Sequence, residues 1–216
     1  MNIILFGPPG AGKGTQATKI AKIFKLYKIS TGDLLRDEIK NQTELGIQIK
    51  SLMDTGSLIS DNIINDLVKK ILANEKFNNN LIFDGYPRTL EQVKNLDLYL
   101  KKYNQKITCV LSLNVDKKSI IKRILGRQTC NKCGQIFNKY FNPPSDKNHS
   151  CGLESLDKRS DDNEETIINR FETYLSKTLP ILDFYKKQNL LHDINGELEI
   201  DQIFEEIRGI IAPLET

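Results

Sequence analysis

Lys13 lies in the run GPPGAGKGT, residues 7–15, where four glycines surround a single ammonium group. A polyphosphate needs several backbone N–H groups turned inward, a helix N-terminus and a cation for the remaining charge, and glycines free to adopt positive φ let a backbone close around it. The run directly follows NIILF, residues 2–6, a continuous apolar stretch of the kind that forms a buried parallel strand. It directly precedes residues 13–24, where Ala17, Ile20, Ala21 and Phe24 recur at three and four as one face of a helix. Strand, loop, lysine and helix together point to a phosphate site made of Gly10, Ala11, Gly12, Lys13, Gly14 and Thr15. In the general motif a hydroxyl follows the lysine at once, whereas here Gly14 intervenes before Thr15. That departure counts against a switch GTPase, which uses that hydroxyl to hold magnesium.

A second chemical cluster is sulfur-based. Cys130 and Cys133 form a CxxCG knuckle, the commonest half of a structural zinc site, and Cys151 follows in the same short segment. The fourth ligand stays open between Glu154 and His149, since zinc accepts oxygen and nitrogen as well as sulfur. Cys109, within ITCVL, reads as a small buried core residue, and His192 has no partner that the sequence reveals. Asp84 ends the apolar run LIFD on the phosphate-loop side of a sheet, where a carboxylate can hold magnesium through its waters.

Further apolar runs at 81–83, 107–113 and 190–194, with a shorter one at 27–29, predict more buried strands. Between them lie helical periods. Ile63, Ile64, Leu67, Val68, Ile71 and Leu72 mark a helix capped by Ser60 or Asp61, Ile120, Ile121, Ile124 and Leu125 mark another, and Ile200 to Ile211 mark the last. Arg123 and Arg127 stand four apart and are expected to share one helix face, opposite those four apolar residues. Strands alternating with helices predict an α/β fold, a parallel sheet covered on both faces. Residues 30–59 read as helices and turns without a strand, and residues 128–158 as a small β-rich lobe.

The composition sets limits. With 216 residues, 39% hydrophobic and 27% charged, the chain is globular in character and neither disordered nor fibrous. A formal charge of +3, from 31 basic and 28 acidic residues, falls short of a dedicated nucleic-acid binder. No stretch approaches the roughly 18 apolar residues of a membrane span, and MNIILFGPPG has neither a basic leader nor a cleavage site. A soluble, cytoplasmic protein is expected.

Four further segments run in order along the chain: STGDLLR at 30–36, FDGYPRTLEQ at 83–92, RILGR at 123–127 and RSDDNEET at 159–166. With the phosphate loop they resemble the adenylate kinase family in its long-lid form. The resemblance implies a P-loop, doubly wound, five-stranded parallel sheet. Residues 1–29, 60–122 and 160–216 would form the core, 30–59 an α-helical insert binding the nucleoside monophosphate, and 123–159 a small β-rich lid. It implies reversible phosphoryl transfer from MgATP to AMP, giving two ADP, in a monomer that uses neither nucleic acid nor membrane. Arg36 and Arg88 match positions that hold the AMP phosphate, while Arg123, Arg127, Arg159 and Arg170 match those converging on ATP and the transferred group. Lys13, Asp84, Arg88, Arg123, Arg159 and Arg170 are thereby the expected catalytic groups. Thr31, Ser57, Leu58, Ile59, Gly85 and Gln92 match the AMP side, with Arg36, Arg88, Arg159 and Arg170 on its phosphate. Asp161 and Asp162 are lid-closing partners, magnesium-water contacts or caps of the helix starting near Glu164. Metal-bearing lids of the family carry a second cysteine pair, of which this chain has Cys151 alone.

Two rival readings remain. A UMP/CMP kinase usually carries asparagine after the Pro-Arg pair, where this chain has Thr89, and that pattern and Gln92 favour AMP. A nucleotide-dependent nucleic-acid binder would use the cysteine lobe as a zinc ribbon, and Phe137, Lys139, Tyr140 and Phe141 supply only a faint version of its basic and aromatic surface.

Overall fold

Strand β1, Asn2–Phe6, is apolar along its length because both faces of the sheet are covered. The computed structural model, which describes residues 1–77 and 79–214, places it at the centre of five parallel strands. The others are β2 (Tyr27–Ser30), β3 (Leu81–Asp84), β4 (Cys109–Asn114) and the last, Leu191–Asn195, in the order β2, β3, β1, β4, last. In register, Ile4 lies beside Phe83 and Val110, and Ile29 beside Phe83. Alternate side chains then feed two cores. Ile4, Phe6, Ile29 and Phe83 pack with helices α4 (Asp61–Leu72) and α5 (Leu90–Lys102), while Ile3, Leu5, Ile82 and Leu111 pack with α1 (Lys13–Ile23) and the C-terminal helix Ile200–Ile211. Cys109 joins the second core, fully buried, and burial pushes its thiol up to about 12.

Between β2 and α4 run α2 (Thr31–Lys40) and α3 (Glu44–Asp54), capped by Ser30 and Thr43 through hydroxyls that accept from Asp33 N–H and Gly46 N–H. Helix α6, Lys117–Leu125, starts at Asp116, whose carboxylate accepts from Ser119 N–H at 2.9 Å. A three-stranded antiparallel sheet follows, with β5 (Arg127–Cys130) between β6 (Ile136–Asn138) and β7 (Leu156–Asp157). Helix α7, Glu164–Thr173, continues through a π turn, Tyr174–Thr178, into α8, Leu179–Lys186. The strand just named as last is β8, and the C-terminal helix is α9. Among the described residues no helix is long and apolar enough to cross a membrane.

Several expectations need correction. Arg127 does not share a helix face with Arg123, because α6 ends at Leu125 and Arg127 opens β5. The chain turns there at Gly126, where a Cβ would lie 2.6 Å from the Tyr140 ring. Ile120 and Ile124 are buried as expected, but Leu125 is exposed. Ser60 makes no side-chain cap on α4, and the Asp61 carboxylate is engaged elsewhere. The cap of α7 is Asn163, which accepts from Thr166 N–H at 3.0 Å, and not Asp161 or Asp162.

Two glycines make opposite predictions. A Cβ on Gly46 would fall on the Glu38 carbonyl where α3 meets α2, whereas a Cβ on Gly209, exposed in α9, meets none of the described residues within 4 Å. Gly46→Ala is expected to destabilise by about 2 kcal/mol through overpacking, and Gly209→Ala to stabilise by about 0.5–1 kcal/mol through helix propensity. Urea unfolding of the two variants beside the parent checks both signs.

Candidate active site

The carboxyl ends of β1, β2 and β3 open on one cleft of about 370 Å³, in the position where open parallel sheets bind ligands. It is lined on one side by Gly10–Gln16 and on the other by Thr31, Arg36, Ser57, Leu58, Ile59, Gly85, Arg88 and Gln92. Ala11 and Thr15 are thus found with the other loop residues. Gly12, at φ 94°, holds the left-handed backbone conformation that glycine adopts without strain, although a Cβ there would meet none of the described residues within 4 Å. Gly10 serves a different need: a Cβ there would lie 2.8 Å from Ile124, so its absence lets the loop rest on α6.

Seven cations and four acids line this cleft. Lys13 donates to the carbonyls of Gly7 at 2.7 Å and Pro8 at 2.9 Å, and desolvation pushes its ammonium down to about 8, with Asp84 opposing the shift and Arg88, Arg127 and Arg170 adding to it. Burial likewise pushes the Asp84 carboxyl up, against the pull of Lys13. Arg88 donates from Nε to Gly85 O at 2.8 Å, and burial beside Arg170 lowers it to about 10. Arg159, lowered to about 10 by burial and Arg127, lies 3.9 Å from Asp33. Burial works against ionisation of Asp33, yet the Arg36 guanidinium paired with it holds the carboxyl at about 2.

Asp161 and Asp162 are arginine partners. Asp162 accepts from Arg127 through both oxygens, one at 2.8 Å from Nε, and Asp161 pairs with Arg170. Burial would raise the Asp161 carboxyl, but Arg170 and Arg36 hold it down. Arg123 lies 3.9 Å from Glu197, whose carboxylate also accepts from Asp116 N–H at 2.7 Å. The monophosphate-side groups are tightly tethered. Thr31 Oγ1 donates to Gly85 O at 2.9 Å, and the Gln92 carboxamide accepts from Arg88 N–H at 2.7 Å while donating to Asp61 at 2.6 Å.

Sequence reasoning missed the lobe's own contribution to the cleft. Ile136, Phe137, Asn138, Phe141 and Asn142 line it, as do Glu197–Ile200 at the start of α9. Arg123 lies 5.5 Å from the Phe141 ring centre in cation–π geometry. No spacing rule singles these residues out, because they come from loops and three-residue strands.

Within the lobe the ligand atoms of Cys130, Cys133, His149 and Cys151 lie within 4.8 Å of one another. A tetrahedral zinc with Zn–S of about 2.3 Å needs that clustering. His149 is buried against Phe137, ring centres 4.8 Å apart, and neither ring nitrogen has a hydrogen-bond partner among the described residues. A buried imidazole in that state suits a ligand. Glu154 is excluded from the cluster: it is exposed and 3.7 Å from Lys132.

The comparisons with known proteins agree with this geometry. A profile of the family described as adenylate kinase matches residues 5–190. The chain belongs to the adenylate kinase family. It is 50% identical to an adenylate kinase of Pelagibacter ubique over 98% of this chain and 99% of that one, 44% to one of Enterococcus faecalis over 98% and 99%, and 43% to one of Methanocella arvoryzae over 99% and 100%. Membership in the family makes it a nucleoside monophosphate phosphotransferase, built on the P-loop fold described above.

The depressed Lys13 ammonium generates a prediction. An ammonium lowered to about 8 is largely neutral at pH 8.5, and a bound polyphosphate restores its charge. Tripolyphosphate binding is therefore expected to take up protons above pH 8 and to weaken as pH rises. Titration calorimetry at pH 8.5 in buffers of different ionisation enthalpy checks this, and Lys13→Met should abolish the uptake.

Proposed function

We propose that the cleft moves the terminal phosphoryl group of MgATP onto AMP, reversibly, giving two ADP. The observation that carries the reading is the convergence of Lys13 and six arginines on one cleft, supplied from the start of α1, from α2, the β3–α5 loop, α6, β5, the β7–α7 loop and α7. Phosphoryl transfer is chiefly positioning and neutralisation of charge on the moving group. Residues 10–15 with Arg123 and Arg127 hold the ATP phosphates. Thr31, Arg36, residues 57–59, Gly85, Arg88 and Gln92 hold AMP, and Arg159 and Arg170 bridge the two phosphate groups. Magnesium, bound with ATP, supplies charge neutralisation; Asp84, buried beside Lys13 at the end of β3, is the carboxylate that would hold its waters.

Residues 30–59 and 123–159 close over the core to exclude water, which would otherwise take the phosphoryl group. Two cross-contacts support closure: Arg159 to Asp33, and Ser160 Oγ donating to Asp54 at 3.0 Å. Structural zinc would be held by Cys130, Cys133, His149 and Cys151, stabilising the lid without touching phosphate.

A coupled ADP-formation assay with ATP and each of AMP, GMP, CMP and UMP should give fastest turnover with AMP, and equal turnover with UMP or CMP would refute the substrate assignment. Lys13→Ala and Arg88→Ala should each lower kcat by about a thousandfold, with circular dichroism unchanged. For the metal, elemental analysis of protein purified under reducing conditions should find about one zinc per chain, as four protein ligands of a structural site require. His149→Ala should reduce that content and the melting temperature, whereas Glu154→Ala should change neither.

A further inference from the structure

Gln92 is 2% exposed, and its carboxamide is gripped from two sides. Its Nε2 lies 2.6 Å from Asp61 Oδ1, and its Oε1 lies 2.7 Å from the Arg88 N–H. A carboxylate only accepts and a backbone N–H only donates, so both neighbours demand the same orientation of the amide. The Asp61 carboxylate is itself anchored by Thr89, whose hydroxyl donates to Oδ2 at 2.9 Å while capping α5 by accepting Gln92 N–H at 3.1 Å. After these bonds, Gln92 retains one N–H and one lone pair for a ligand in the cleft that it lines.

We propose that Asp61 is a positioning residue that locks the Gln92 carboxamide in one orientation and thereby makes the site select the adenine hydrogen-bonding pattern over its inverse. This rests on the reading above that Gln92 faces the AMP base. Adenine offers an acceptor at N1 beside a donor at its 6-amino group. Hypoxanthine and guanine offer the inverse, an N1–H beside an O6 acceptor, and uracil does the same at N3 and O4. To serve the inverse pattern the carboxamide would have to turn over. Oε1 would then face the Asp61 carboxylate, and Nε2 the Arg88 N–H, leaving two repulsive contacts in a buried place. Cytosine shares adenine's pattern, so the amide excludes guanine and uracil while ring size is left to exclude cytosine.

IMP isolates the effect, because it has the size of AMP and the inverse pattern. With saturating MgATP, the parent chain should favour AMP over IMP in kcat/KM by about 100-fold or more, as expected where a mismatch leaves buried polar groups unpaired. Asp61→Asn presents a group that can donate as well as accept, so the AMP:IMP ratio should fall about tenfold, partly through a rise in kcat/KM for IMP, with KM for ATP within about twofold of the parent. Thr89→Val, which frees Asp61, should move the ratio the same way, and Thr89→Ser should restore it.

A folded Asp61→Asn in which AMP and IMP rates fall in parallel overturns the proposal, since a merely structural residue would not raise activity with IMP. If Asp61→Asn fails to fold, the Thr89→Val ratio decides, and the parent value there overturns it. Gln92→Ala separates the two levels. A ratio unchanged in Gln92→Ala shows that Gln92 does not read the base and removes the underlying reading. A ratio that collapses in Gln92→Ala but holds in Asp61→Asn refutes only the role of Asp61.

Discussion

Six guanidinium groups and one ammonium share a cleft at the carboxyl ends of a parallel sheet, and their mutual repulsion must be contained if the chain is to fold around them. Unit charges about 4 Å apart interact by roughly 4 kcal/mol in partly screened surroundings, so an unopposed cluster of this kind would be a large fraction of a domain's stability. Carboxylates divide the load: Asp33 faces Arg36, Asp162 faces Arg127, Asp161 faces Arg170 and Glu197 faces Arg123. Arg88 and Lys13 rely instead on carbonyl oxygens, of Gly85 in one case and of Gly7 and Pro8 in the other. These two, and Arg159 with them, have ionisation lowered chiefly by burial, so they are the cations with most to gain from an incoming anion.

The scaffold is what makes that concentration of charge tolerable. Two apolar cores clamp the sheet from either side, and the cations project only from its carboxyl edge and from the helices and strands that border it. Small local devices set the angles. Gly10 lets the phosphate loop lie against Ile124, which places α6 and Arg123 over the loop. Asn163 begins α7, leaving Asp161 and Asp162 free for arginines. The π turn after α7 brings the Thr178 hydroxyl to donate to Arg88 O at 3.1 Å, so one continuous helical rod carries Arg170 and holds Arg88.

Much of this was legible in the sequence, because strands buried on both faces write themselves as apolar runs and helices on a core write a period of three and four. All five parallel strands were visible, with ends differing by one or two residues. Helix α5 carries the same period in Val93, Leu96 and Leu100. The phosphate loop and the arginines were legible because their motifs are local. What escaped was decided by tertiary packing. His149 rather than Glu154 completes the sulfur cluster because the turn at 145–149, in which Asn148 accepts from Ser145 N–H, swings the imidazole inward. Asp61 looked like a helix cap from its position alone, and only the neighbouring α5 shows that its carboxylate serves Gln92.

The sheet order also fixes an order of assembly. Strand β1 is among the first residues of the chain, yet it pairs with β3 and β4, and β4 pairs in turn with β8, where Val110 lies beside Leu191. Contacts so far apart in sequence close slowly. By contrast the lobe's three strands pair entirely within residues 127–157. During synthesis the central strand therefore has both neighbours once Asn114 has emerged, and the cysteine lobe completes its own strand pairs and metal-ligand candidates next, while β4 must wait for its outer neighbour β8 until nearly the whole chain has emerged.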